Sequence, residues 1–168
     1  MKSLKVKELL ALLTLSIFIS IGTRSTDVQA QDTGIRESIF VSPYTKHYTY
    51  SPAHKPVWLV GYEQQLPDKS LRGSAFFSNS FGQEALYVFL WGRRYDDVLG
   101  VDGLYVKWTA GVIYGYKAPY NNNLPLNYSG FSPVIVPSIG YQINSAWSAD
   151  AQFLGKAALM LGTSYRFK

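Results

Sequence analysis

The segment LYVKWTAGVIYGYK, residues Leu104 to Lys117, alternates at period two. One face carries Leu104, Val106, Trp108, Ala110, Val112, Tyr114 and Tyr116, and the other carries Tyr105, Lys107, Thr109, Gly111, Ile113, Gly115 and Lys117. Successive side chains of a strand point to opposite faces, so this is a strand with one apolar, aromatic side and one small or polar side. A strand of a soluble sandwich needs about 5–6 residues. A tilted strand crossing a bilayer needs about 9–11 plus its ends, which a run of this length supplies. The apolar face then looks at lipid and the polar face at a barrel lumen. Taken alone, the segment also fits an edge strand of a soluble β-sandwich.

The start of the chain favours the membrane. Lys2, Lys5 and Lys7 precede an apolar run from Leu9 to Ile21, and a polar region ends at Val28-Gln29-Ala30. A basic region, a short apolar run and small residues before a cleavage point make a secretory signal. Cleavage is expected after Ala30, with residues 31–168 forming one exported domain. The alternative is an uncleaved anchor helix, for which the apolar run is short.

The composition narrows the classes further. The chain has no cysteine, which excludes a disulfide scaffold and a lipoprotein acylated on cysteine. The formal charge of +5 falls to +3 once the four Lys/Arg and two Asp/Glu of residues 1–30 are removed. The charges form no block, so a nucleic-acid partner is not expected. Aromatic residues make up 15% of the chain and recur at strand ends, as the girdles of a membrane barrel do.

Six further strands follow: 57–64, 71–78, 84–95, 132–144, 147–153 and 157–167, the third of them apolar and aromatic almost throughout. Pro67-Asp68-Lys69 separates the first two, and Asp96, Asp97, Gly100 and Gly103 end the third. With the strand at Leu104 this makes seven, and an eighth is expected within 37–50, where the pattern is weakest. An open sheet edge in lipid is prohibitive, so such barrels close, with an even strand number whose minimum is eight. The expected fold is all-β: an eight-stranded antiparallel transmembrane β-barrel. Alternate connections then face outward: Ser42–Pro56, Asn79–Gln83, Ala118–Phe131 and a tight turn near Gly155-Lys156. Both histidines, His47 and His54, fall in the first of these, and Asn79 and Ser80 fall in the second.

Four segments resemble the lipid A palmitoyltransferase family of outer-membrane barrels. Thr109-Ala110-Gly111-Val112 is similar to that family's TAGV strand. Pro133-Val-Ile-Val-Pro137-Ser-Ile-Gly140-Tyr141 resembles its proline-bearing strand, one residue shorter in the middle. Phe77-Ser78-Asn79-Ser80-Phe81 stands where the family has F-x-D-S-W, and His47 lies in the loop that holds its catalytic histidine. The likeness runs from about Tyr44 to the end of the chain.

The resemblance implies transfer of a palmitoyl-like chain from phospholipid to lipid A, or to another outer-leaflet lipid, by a monomer in the outer membrane. Acyl transfer needs a base for a hydroxyl proton and donors for the developing oxyanion. His47 suits the base and Ser80 the oxyanion. Asn79 replaces the family's acidic residue, and an amide cannot carry the charge that favours an imidazolium; Glu84 is the carboxylate nearest in sequence. In the family such prolines mark lateral openings for lipid chains, which makes Pro133 and Pro137 candidate substrate-binding residues. Gly111 and Gly140, together with Gly115 and Gly162, leave either a slot for an acyl chain or room for side chains to interlock. No metal or cofactor is implied. The alternatives are a small outer-membrane barrel that binds lipid or serves a structural role without catalysis, and a lipid A deacylase. For the residues themselves, the plainer reading is that the histidines are solvated loop residues and Asn79-Ser80 a turn pair.

Overall fold

The computed structural model describes residues 34–168; the expected signal segment and its junction after Ala30 lie outside the described residues. Eight strands follow one another: β1 (Arg36–His47), β2 (Leu59–Gln65), β3 (Leu71–Ser78), β4 (Glu84–Tyr95), β5 (Leu104–Tyr114), β6 (Phe131–Gln142), β7 (Trp147–Leu154) and β8 (Ala158–Arg166). Each pairs antiparallel with the next, and β8 closes onto β1, so the sheet has no free edge. The connections β1–β2 and β5–β6 are long, while β2–β3 and β6–β7 are tight. The two ends are the loop end, where β1 finishes, and the turn end, where β1 starts and β8 finishes.

The alternation read in Leu104–Tyr114 sets the faces. Tyr105, Lys107 and Thr109 are buried in the lumen, whereas Trp108 and Val112 are exposed on the wall. Around the barrel Val60, Val88, Ile135 and Leu161 are likewise apolar and exposed. Tyr95, Tyr141, Trp147 and Tyr165 girdle the turn end, and Tyr44, Trp58, Phe131 and Phe153 the loop end. A soluble domain does not leave an apolar belt of this extent in water. The fold is a transmembrane barrel, with its greasy side outward.

The lumen is filled by two chemically distinct layers. Toward the loop end, Leu59, Phe77, Ala85, Tyr87, Val136 and Met160 form an apolar core that Phe40 and Phe89 extend to mid-barrel. Toward the turn end the interior is ionic. Lys107 Nζ donates to both carboxylate oxygens of Glu63 at 3.0 Å and lies 3.6 Å from Asp150. Tyr105 Oη and Ser164 Oγ donate to Asp150 at 2.6 and 2.8 Å. The Arg94 guanidinium covers the Tyr105 ring at 3.5 Å. Every charge in this layer has a partner, which is what makes burial tolerable.

Three places depart from strict alternation, each for a stated cause. The first loop, expected to start at Ser42, begins only after His47, because β1 absorbs Pro43 in a bulge. Its register against β8 shifts between Val41 and Tyr44 and then runs to His47↔Ala158. Proline brings no ladder donor, and a bulge is where a strand accepts one. In β4 a second shift between Phe89 and Trp91 puts Leu90 and Trp91 both outward, so its sequence reads as apolar throughout. The strand at Leu104 ends at Tyr114, short of Lys117, because Gly115 takes φ +139, a backbone state that L side chains rarely adopt. Tyr116, expected on the lipid face, therefore packs against the apolar core.

Candidate functional site at the loop end

Ser80 follows β3 in a turn held by its own backbone: Asn79 N–H donates to Gln83 C=O at 2.8 Å and Gly82 N–H to Asn79 C=O at 2.9 Å. Gly82 takes φ +78 there, which a glycine adopts without strain. The first loop folds onto this turn, with Lys55 N–H donating to the Ser80 carbonyl at 2.8 Å. His47, the last residue of β1, then meets Ser80 with Nε2 2.7 Å from Oγ. His54 stacks on His47, ring centroids 4.0 Å apart, and touches Phe81 edge-on. Phe81 in turn stacks on Tyr120 from the third loop. Three connections thus converge on one imidazole–hydroxyl pair.

The Ser80 hydroxyl also interacts with the phenol of Tyr116, the residue that Gly115 turns inward. Burial pushes that phenol up to about 12, with Ser80 pulling weakly the other way. The protonated phenol thus sits beside the same serine hydroxyl that His47 Nε2 contacts.

Asn79 is placed differently. It is 1% exposed, and its Oδ1 accepts the N–H groups of Phe81 and Gln83, both at 3.0 Å. Its amide donates to Gln83 Oε1 at 3.2 Å. Gln83 Nε2 then donates to the Lys117 carbonyl, and Gln83 Oε1 accepts the Lys117 N–H, each at 3.2 Å. Asn79 and Gln83 staple the second loop to the third. No hydrogen bond joins Asn79 or Glu84 to His47, so Asn79 serves the turn that presents Ser80 rather than the imidazole.

Pro133 and Pro137 lie on the outer face of β6. Gln142 N–H points to β5, donating to Gly103, while Ile143 N–H points toward β7, donating to Trp147. Donors alternate along an antiparallel strand, so the nitrogens of residues 133 and 137 face β7. The ladders agree. β5–β6 is continuous from Leu104↔Tyr141 to Tyr114↔Phe131. β6–β7 pairs only Gln142↔Ser148 through Ser138↔Gln152 and stops at Pro137. From there to the loop end the seam is unpaired. Beside Pro133, the buried Ser132 hydroxyl has no hydrogen-bond partner.

The glycines are covered by the protein itself. A Cβ on Gly140 would collide with the Tyr105 ring, and one on Gly162 would meet the Phe40 ring at 2.6 Å. A Cβ on Gly111 would run into the backbone of β4 at Val88 and Phe89. The space at Gly111 and Gly140 is occupied by neighbouring backbone and an aromatic ring.

Sequence reading did not find Tyr116 or Gln83. The break at Gly115, followed three residues on by Ala118-Pro119, was the available sign that Tyr116 changes face. Nothing in a lone Gln83 marks it as a staple.

No family profile matches the chain, and no curated protein does. Solved structures do. A de novo designed transmembrane β-barrel aligns over 81% of this chain and 98% of its own, with a TM-score of 0.53 and 14% identity. The Yersinia pestis outer membrane protein Ail, solved in a phospholipid bilayer nanodisc, aligns over 79% of this chain and 99% of its own, with a TM-score of 0.45 and 15% identity. At such identities what is shared is the fold, and the likeness to the designed barrel agrees with the closed eight-stranded ladder: the chain is similar in architecture to transmembrane β-barrels.

Proposed function

We propose that this barrel resides as a monomer in the outer membrane, loop end outward, and transfers a palmitoyl-like acyl chain from phospholipid to lipid A or another outer-leaflet lipid. The observation that carries the reading is the 2.7 Å contact between His47 Nε2 and Ser80 Oγ at the barrel mouth. A serine hydroxyl bonded to an imidazole is the arrangement that makes a base available to an acyl-transfer step. His47 takes the proton of the acceptor hydroxyl as oxygen attacks the ester carbonyl, then returns it to the departing lysophospholipid oxygen. As the acceptor hydroxyl displaces Ser80 from Nε2, the Ser80 hydroxyl turns to the oxyanion and donates to it beside the Tyr116 phenol. The unpaired seam beside Pro133 and Pro137 gives a phospholipid chain a lateral path to this rim, with the unpartnered Ser132 hydroxyl at its edge.

The non-catalytic alternative has an observation of its own. The apolar lumen beneath the pair is filled by side chains, and Gly111 and Gly140 leave no slot. Mass spectrometry of lipid A separates the two readings. Cells expressing the chain are expected to gain a species heavier by one acyl group, absent from cells expressing His47→Ala. Identical profiles of lipid A and of the other outer-leaflet lipids, with and without the protein, overturn the acyltransferase reading.

A further inference from the structure

The turn end of the lumen opens into a pocket lined by Arg36, Arg94, Arg166, Lys107 and Glu63. Lys107 and Glu63 are paired with each other, which leaves three guanidiniums. Arg94 Nη2 and Arg166 Nη2 both donate to one neutral acceptor, Gln142 Oε1, at 3.1 and 3.2 Å. Arg94 has one carboxylate partner, Asp96 at 2.6 Å, and Asp96 is shared with Lys69. Among the described residues, Arg36 and Arg166 make no ion pair. Arg166 Nη1 donates to the Ser145 carbonyl at 3.1 Å. Three like charges are thus gathered at the mouth of a low-dielectric barrel, and among the described residues Asp96 is the one carboxylate ion-paired with any of them. Above the pocket the Lys107–Glu63–Asp150 layer closes the lumen, so the site is a blind recess and not a pore.

We infer that this recess binds a phosphate group. Guanidinium forks match the oxygens of a tetrahedral oxyanion two at a time, and a recess walled by protein strengthens that attraction over bulk water. Ser38 lines the same recess and adds a hydroxyl donor suited to a remaining oxygen, while the Ser148 and Ser164 hydroxyls are spent on Asp150. The phosphate is either a free ion or the headgroup of a lipid in the adjoining leaflet; both present the same chemistry. The site lies at the opposite end of the barrel from His47 and Ser80 and stands independently of their reading.

The test uses the full chain refolded into dodecylmaltoside micelles and titrated with inorganic phosphate by calorimetry. Folding is checked by the faster migration of unboiled protein on detergent gels. Saturable one-to-one binding is expected, weakened at least tenfold in Arg36→Gln and in Arg166→Gln, and unchanged in Lys156→Gln at the loop end. Arg166→Lys, which keeps the charge and loses the fork, is expected between them. A second arm places ¹⁵N-labelled protein in phosphatidylcholine bicelles with and without phosphatidylglycerol. Shifts of the arginine Nε–H signals on adding phosphatidylglycerol assign the phosphate to a lipid headgroup, and shifts only with inorganic phosphate assign it to the free ion. No response in either arm, or equal binding in the arginine variants, overturns the inference.

Discussion

His47 Nε2 lies 2.7 Å from Ser80 Oγ, although 33 residues separate them and no strand pairing joins β1 to β3. The contact exists because β2 is short and its preceding loop folds inward. Lys55 is tied to the Ser80 carbonyl, and His54 is laid against the His47 ring. Two strand ends are thereby bridged by the connection between them. Loops placed on a rigid barrel in this way are where function concentrates.

The Asn79 staple has a measurable consequence. Asn79→Ala removes the acceptor for two backbone N–H groups, a loss of about 1–3 kcal/mol of local stability per orphaned donor. Amide exchange at Phe81 and Gln83 is expected to accelerate sharply, while the strands keep their protection. Asn79→Asp keeps both acceptors and is expected to hold the turn. Slow exchange in Asn79→Ala would show that the turn stands without the staple.

The lipid face gives a second expectation. Val112 and Leu161 are exposed near the middle of the apolar belt. Arg at either position should cost roughly 2–4 kcal/mol of folding free energy into a bilayer. Ser164, by contrast, is buried and donates to Asp150, so Arg there crowds the lumen instead. Unfolding in phospholipid vesicles with a denaturant measures all three. Tolerance of Arg at both Val112 and Leu161 would mean that the faces are reversed.

The ionic layer supplies a third. Lys107→Met leaves the Glu63 and Asp150 carboxylates facing each other without their shared cation. Breaking a buried pair from one side costs about 3–5 kcal/mol. Lys107→Met combined with Glu63→Gln removes part of the unmatched charge and should recover some of the loss. Equal stability of parent and single variant would show that water already reaches this layer.

Asp96, just past β4, carries the pH dependence of the turn end. Burial raises its carboxyl, but hydrogen bonds from Lys69 and Arg94 outweigh burial and hold it below the ordinary carboxylate value. A group depressed in the folded state stabilises above its unfolded pKa, near about 3.9, and loses that contribution as pH falls through its folded value. The pair with Lys69 is well solvated, so the effect is small. Denaturant midpoints from pH 7 to pH 2 should fall slightly less steeply for Asp96→Asn than for the parent. Parallel curves would place the acid sensitivity elsewhere.

Much of this was legible in the sequence because a barrel wall writes its two faces at period two. Trp147 to Phe153 separates Ser148, Asp150 and Gln152 from their apolar neighbours without ambiguity, and the structure puts those three inward. Legibility failed where the period slips. Pro43 and the Phe89/Trp91 shift each insert an unpaired residue, which exchanges the faces beyond it. The glycine at 115 does the same by backbone conformation. In the site, the loop membership of Ser80 and the rim position of His47 could be read from topology. The inward phenol of Tyr116 could not, since it depends on one dihedral angle. The Lys107–Glu63–Asp150 cluster could be placed on lumen faces, but its pairing depends on strand order around the closed ring.

The central claim is that the His47–Ser80 pair performs acyl transfer. The most direct measurement is transfer of a labelled palmitoyl chain from phosphatidylcholine to purified lipid A by refolded protein in detergent. The parent is predicted to label lipid A, His47→Ala to abolish labelling without loss of folding, Ser80→Ala to slow it and His54→Ala to slow it less. Absence of labelling by the folded parent, or full activity in His47→Ala, would contradict the account.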